Sequence, residues 1–370
     1  MEIPFFNYKE YCKNLDYNKL LQEVLNTGYL IGGPFVDEVE RKIQEITKIN
    51  NCICVGNATD AMEIIFGFLD LPKGSNVLVP THTMLATASA AKSLGLNPIP
   101  IDINEDSLMT EIEELEKCNL ENVTACMITQ LNGVVADMNP IKEFCDSNKI
   151  ALIEDSAQAI GAFNNDKHSG SWGLGGCLSF YPAKIIGCLG DGGAIITNNN
   201  DLKEYAYSVR DHGRGEGLEA IHWGRNSRLD SLNARVILER LSNFNFYIDK
   251  RRKLAEIYDE ILGPLELSGI VKLPPKFSTN SHSISTYQNY EIQTIKRDEL
   301  MLFLKTNQIG TIKQWGGFSI PHFNKLGYDI NDYPQTKKLF EKLLLLPLNH
   351  MMNEKDIDYV SKKIIEFFNI

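Results

Sequence analysis

Three short stretches of this 370-residue chain carry side chains whose types suit chemistry. Lys184 follows the apolar run CLSFY (177–181) in the segment Tyr-Pro-Ala-Lys. A lysine on the loop after a buried strand is partly desolvated, which lowers its pKa and frees the amine as a nucleophile. Glu154 and Asp155 end the run IALIED (150–155). In open α/β sheets ligands bind beyond the carboxyl ends of the strands, so an acid there faces the crevice. Gly56-Asn57-Ala58-Thr59 separates the run CICV from a segment of helical periodicity. Such a turn offers free backbone N–H groups, the positive end of a helix dipole and the Thr59 hydroxyl, a set that suits a phosphate. Singly, each has an ordinary alternative: a snorkelling surface lysine, a solvated carboxylate, a capped helix that binds nothing.

Together the three match what pyridoxal 5′-phosphate (PLP) requires: an amine for the Schiff base, an anion that keeps the pyridine nitrogen protonated, and an anchor for the phosphate. Competing chemistries lack their patterns. A dinucleotide site wants Gly-x-Gly-x-x-Gly leading from a strand into a helix; Gly187, Gly190, Gly192 and Gly193 have other spacings and lead into a strand. Gly-x-Ser-x-Gly does not occur. The 8 cysteines are scattered, with only Cys52 and Cys54 close together, and without a second pair they read as buried reduced thiols. His82, His168, His212, His222, His282, His322 and His350 lack metal-ligand spacing, so no metal is expected and most should be structural or surface residues.

The scaffold follows from short apolar runs at 76–80, 97–103, 125–129, 150–155, 177–181 and 193–198. They do not alternate with polar residues, which predicts strands buried on both faces of a parallel sheet covered by helices. Between the first two, TMLATASAAKSLG closes on Gly95 and reads as a crossover helix. After GNAT, Met62, Ile65, Phe66 and Leu69 fall on one helical stripe. From about residue 234 one long charged helix is predicted to run to Gly263-Pro264; beyond it YQNYEIQ and RDELMLFLKTNQIG suggest a smaller α+β unit. The length predicts two or three domains. A formal charge of −11 excludes nucleic acid and anionic membrane as main partners. The start, MEIPFFNYKEYCKNLD, is unlike a signal peptide and no 18-residue apolar run exists, so a cytoplasmic location is expected.

In order along the chain, GNATDAMEI, VPTHTMLATASAAKSLGLNPIPIDI, VVADMNPI, IEDSAQAIGA, LSFYPAKIIGCLGDGGAIITN, RDHGRG and GRNSRLDSLNA resemble the signature blocks of the DegT/StrS sugar aminotransferases. The resemblance implies an α/β fold type I PLP enzyme with a mostly parallel sheet in a large domain (1–245). A small α+β domain (246–370) would follow, with the N-terminal segment packing toward it. The implied reaction moves an amino group from glutamate or glutamine, through pyridoxamine 5′-phosphate, to keto carbon C3 or C4 of a nucleoside-diphosphate-linked deoxy sugar. Its setting would be surface polysaccharide or glycoconjugate synthesis. A PLP-dependent sugar dehydratase or isomerase and a PLP-binding regulator are the alternatives; dehydrating relatives carry histidine where this chain has Lys184.

Residue by residue, Lys184 resembles the Schiff-base lysine and proton carrier, and Asp155 the acid paired with the pyridine nitrogen. Gln158 falls where the family contacts the ring hydroxyl. Ser179, with Asn57, Ala58 and Thr59 at the helix start, matches the phosphate ligands. Asn226 resembles the asparagine that reaches the phosphate of a neighbouring subunit, which implies a homodimer with shared sites. Three departures stand out. Met84 replaces the usual aromatic ring over the cofactor, Gln130 and Asn132 replace His and Tyr, and Ile312–Gly317 replaces a His-Tyr-x-x-Pro segment. The last two regions lie toward the sugar in relatives, where Trp315 would be either a pocket wall or part of a core turn.

Overall fold

In the computed structural model, which describes residues 2–13, 15–276 and 283–369, the apolar runs become one seven-stranded sheet. His282 lies outside the described residues. The strands are β1 (Asn51–Val55), β2 (Asn76–Pro80), β3 (Asn97–Ile101), β4 (Val123–Thr129) and β5 (Ala151–Asp155), then β8 (Gly176–Ser179) and β9 (Gly193–Thr197). Between them β6 (Phe163–Asn164) and β7 (Lys167–His168) form a separate small hairpin. Sheet order is β1-β9-β8-β5-β4-β2-β3.

Burial on both faces is borne out in six strands, while the edge strand β3 leaves Asn97 exposed and Ile99 half-buried. Ile53, Val79, Met127, Ile153 and Ile195 join the helices Ala58–Phe68, Leu85–Ser93 and Asn200–Arg210 in one apolar cluster. The alternate positions Cys54, Leu178 and Ile196 meet the helices Pro34–Thr47 and Ser231–Leu241, while Leu78, Cys126 and Leu152 meet Met138–Ser147. A period of two thus sends successive residues into opposite layers. Six of the cysteines are buried, Cys12 and Cys118 are half-buried, and all eight are free thiols.

Two expectations need correction. β9 runs antiparallel to both β8 and β1, because the loop joining β8 to β9 contains no crossover helix and must turn the chain straight back. The single long helix is two, Ser231–Leu241 and Phe244–Leu267, and the second continues through Gly263-Pro264. Near a helix C-terminus the proline forfeits one hydrogen bond and ends the helix only a few residues later.

Beyond residue 243, β10 (Tyr290–Gln293) pairs antiparallel with β11 (Leu343–Leu346). Helices Phe244–Leu267, Arg297–Thr306 and Glu354–Phe368 bury this pair in a second cluster that includes Leu300, Leu344 and Ile364. The N-terminal segment fastens here: Ile3 N donates to Gln308 O at 2.9 Å and Gly310 N to Ile3 O at 2.7 Å. Farther along it, the Tyr11 hydroxyl donates to Gly187 O at 3.1 Å, on the loop that carries Lys184. No helix among the described residues is long and apolar enough to cross a membrane.

The two acids ending β5 point to opposite faces, so only one serves the crevice. Glu154 is 0% exposed. Its carboxylate accepts from Gln130 Nε2 (2.7 Å), Gly170 N (2.8 Å), Trp172 N (2.7 Å) and Gly173 N (3.3 Å), and so anchors the loop leading into β8. Gln130 also takes Ala136 N at 2.9 Å, which makes it a structural brace and not a pocket residue. Burial pushes the Glu154 carboxyl up while these donors pull it down. Glu154→Ala strands three buried amides at once and should cost roughly 3 kcal/mol or more, read as a fall of several degrees in the thermal midpoint.

Candidate active site

Asn57 caps the helix Ala58–Phe68: its Oδ1 accepts from Asp60 N at 2.8 Å. The amides of Ala58 and Thr59 belong to the helix end that lacks intrahelical partners. β9 passes close against this end at Gly193, where a Cβ would fall 2.5 Å from Asn57 C and 2.6 Å from Ala58 N. Only glycine fits. Ser227 braces the turn from behind, accepting from Gly56 N at 2.9 Å and donating to Asp60 at 2.6 Å.

The helix end opens into a cavity of about 390 Å³ whose lining includes Asn57, Ala58, Thr59, Met84, Asp155, Gln158, Ser179 and Lys184. Eight of the nine residues singled out from the sequence are thus brought together. Asn226 is not among them: it is exposed, bridged to Asp211, and accepts from Arg228 Nε at 3.0 Å. Met84 is 55% exposed. Trp315 is both a wall and a packed residue, lining the cavity while its ring meets His82 and Phe340.

Asp155 is held from three sides. Its Oδ1 accepts from Ala157 N at 3.1 Å and from Cys177 Sγ at 3.4 Å, and its Oδ2 from Thr87 Oγ1 at 2.8 Å. Thr83 Oγ1 lies 2.7 Å from Thr87 Oγ1, and Thr129 Oγ1 donates to Thr83 at 2.9 Å. Because Thr87 spends its proton on the carboxylate, Thr83 must donate to Thr87, and the three hydroxyls form one directed chain ending on Asp155. Sequence reasoning missed this relay. Its signal was available: Thr83 and Thr87 stand four apart at a helix start, the spacing that shares a face.

Lys184 comes from the turn after β8, where its N–H bonds Tyr181 O at 2.8 Å. Burial holds its pKa down at about 8 from the usual 10.5, against the opposing pull of Asp155 and Cys177. In the cofactor-free protein, acylation of Lys184 by a neutral amine reagent should rise with pH to a midpoint near 8, followed by peptide mass spectrometry. A midpoint near that of surface lysines would contradict the desolvation.

These groups fit PLP: helix-end amides with the Thr59 and Ser179 hydroxyls for a phosphate dianion, an anchored carboxylate, and an amine whose pKa is held down at about 8. A family model described as the DegT/DnrJ/EryC1/StrS aminotransferase family matches residues 12–365. The chain belongs to this family.

Its relatives include the Pleiotropic regulatory protein of Geobacillus stearothermophilus, 31% identical over 372 residues that cover 100% of this chain and 99% of that protein. The UDP-2-acetamido-2-deoxy-3-oxo-D-glucuronate aminotransferase of Pseudomonas aeruginosa is 33% identical over 291 residues, 79% of each chain. The solved structure of ntda from Bacillus subtilis, with bound cofactor pmp, is similar at a TM-score of 0.90 and 25% identity, over 100% of this chain and 86% of that one. This aminotransferase therefore has the fold type I architecture and uses PLP.

Proposed function

We propose that this aminotransferase aminates keto carbon C3 or C4 of a nucleoside-diphosphate-linked deoxy sugar, with glutamate as donor, in the cytoplasm, for surface polysaccharide or glycoconjugate synthesis. The observation that carries the reading is the single cavity in which Lys184, Asp155 and the start of the helix Ala58–Phe68 converge. The acceptor class draws support from the Pseudomonas aeruginosa relative, named for a nucleotide keto sugar.

PLP supplies an electron sink that stabilises a carbanion next to nitrogen. The chain's own groups do the rest. Lys184 Nζ would be the attachment point and would carry a proton to and from the reacting carbon. Asp155, oriented by Thr87, Ala157 and Cys177, would pair with the pyridine nitrogen. Gln158 would contact the ring hydroxyl; Ala58, Thr59 and Ser179 would hold the phosphate, with Asn57 fixing the helix start. The Met84 thioether would cover the ring face.

The working unit is a homodimer in which Asn226 of each protomer reaches the phosphate of the other, in keeping with its exposure and its place outside its own cavity. Within a protomer the division falls between a large domain, 1–245, and a small one, 246–370, which the separate apolar cluster around β10 and β11 favours. The test is to incubate the holoenzyme with glutamate and a panel of 3-keto and 4-keto nucleotide sugars, reading products by mass spectrometry and NMR. Release of 2-oxoglutarate with a matching amino sugar is expected; a dehydrated sugar without 2-oxoglutarate would defeat the proposal.

A further inference from the structure

Two buried guanidiniums back the loop that carries Lys184, and neither has a carboxylate partner among the described residues. Arg240 on the helix Ser231–Leu241 is 2% exposed and Arg251 on the helix Phe244–Leu267 is 1% exposed. No acid acts on either group. Cations in a protein interior are ordinarily paired, because little else offsets the loss of water. Arg240 turns instead to one main-chain carbonyl. Its Nη1 donates to Gly187 O, and the Tyr11 hydroxyl donates to the same oxygen at 3.1 Å, so both lone pairs are taken. Arg240 Cζ also stands 3.4 Å from the centre of the Tyr11 ring, which ties the two donors to each other.

Gly187 closes the turn from which Lys184 projects. Gly187 N donates to Lys184 O at 3.0 Å, Lys184 N to Tyr181 O at 2.8 Å and Cys188 N to Phe180 O at 2.7 Å, folding the chain from 180 to 188 back on itself. A Cβ at Gly187 would fall 2.4 Å from Pro182 O and 2.5 Å from Tyr181 O, so the turn has no slack. Tyr181, Ala183 and Lys184 line the cavity, while Ile185 and Ile186 are wholly buried among residues of the helices behind. From the small unit, Gln288 Nε2 donates to Ala183 O at 3.1 Å, and Arg251 Nη1 holds Gln288 O at 3.3 Å. Even buried ion pairs are commonly matched in stability by apolar side chains of similar volume, and Arg240 lacks the pair. What the guanidinium supplies, and an apolar side chain does not, is a directed, charge-assisted bond to Gly187 O.

We propose that Arg240 is a positioning residue for Lys184: acting with Tyr11 through Gly187 O, it fixes the turn 181–187 and so keeps the lysine amine out of bulk water. The chemistry asked of that amine rests on the reading above; its placement does not. Arg240 works through the backbone and not by its charge, since the charges that act on Lys184 are those of Asp155 and Cys177.

The test is the acylation midpoint of Lys184 in the cofactor-free full chain, with thermal melting alongside. Wild type should titrate near 8. In Arg240→Met, which fills the space without a donor, the midpoint should rise by about one pH unit as the freed turn lets water reach the amine, with little change in melting temperature. Arg240→Lys, which restores a donor, should recover most of that shift. Tyr11→Phe keeps the ring and loses only the hydroxyl, so it should give a smaller rise, and it takes the place of Arg240→Met if that variant does not fold. An unchanged midpoint in the folded variant overturns the inference. So does a rise that comes with a large fall in melting temperature and persists in Arg240→Lys, the behaviour of a merely structural brace. If wild type develops no visible absorbance with PLP, the reading of Lys184 as attachment point falls, while the midpoints still decide the role of Arg240.

Discussion

Lys184→Ala will lower turnover by about 10⁴-fold or more and leave the protein without the visible absorbance of covalently held cofactor. Two proposed roles end together, attachment point and proton carrier. Lys184→Arg should be as inactive, since a guanidinium keeps the charge but neither attacks a carbonyl nor gives up its proton near neutral pH. That comparison separates chemistry from electrostatics. Stability should not suffer. The folded-state pKa of Lys184, about 8, lies below its ordinary 10.5, so below pH 8 the folded protein bears the cost of a desolvated cation. The unfolded chain binds more protons between those values, and stability rises with pH across that window. Cofactor-free Lys184→Ala should therefore melt no lower than wild type at pH 7, and a sharp drop would mean the lysine is structural. An active variant that retains the absorbance would sink the assignment.

Asp155→Asn has the second largest expected effect. The amide preserves shape and still accepts from Thr87, but it cannot face a protonated ring nitrogen with a full negative charge. Loss of one preorganised electrostatic partner of this kind costs roughly 10²- to 10³-fold in kcat. A second readout needs no turnover. Asp155 raises the Lys184 pKa in the folded protein, so in cofactor-free Asp155→Asn the acylation midpoint of Lys184 should move below that of wild type. Unchanged kcat together with an unchanged midpoint would remove Asp155 from the site.

Much of this was legible in the chain. Buried strands declare themselves because both faces are covered, so Ile153 and Leu152 can be apolar in succession. The helix after GNAT is marked by its cap and stripe. Lys184, Asp155 and Thr59 stand out because a PLP site, as proposed, draws jointly on three separate elements, and all three line one cavity. What stayed hidden depends on partners distant in sequence. Nothing local to ALIED says that Glu154 turns back to hold Gly170 and Trp172 while Asp155 faces the cavity; that follows from the pleat and from which layer lies where. Gln130 and Asn132, two residues apart, differ in role because one is claimed by Glu154 and the other by Glu291, 159 positions away from it. The break after Leu241 escaped because Ser242 and Asn243 are mild helix breakers within a well-charged run.

The fastening of Ile3 to Gln308 and Gly310, with Phe5 on the cavity wall, bears on how the molecule is made. A ribosome delivers residues 3 to 5 long before it delivers their partners near 308. While β1 to β9 assemble, Tyr11 can meet Gly187, but Ile3 and Phe5 have nowhere to dock and stay in water on the nascent chain. The contacts that complete the cavity span about the whole chain, so closing them comes last and carries the largest loop-closure entropy. A newly synthesised chain can thus hold its sheet while the cavity still lacks one wall.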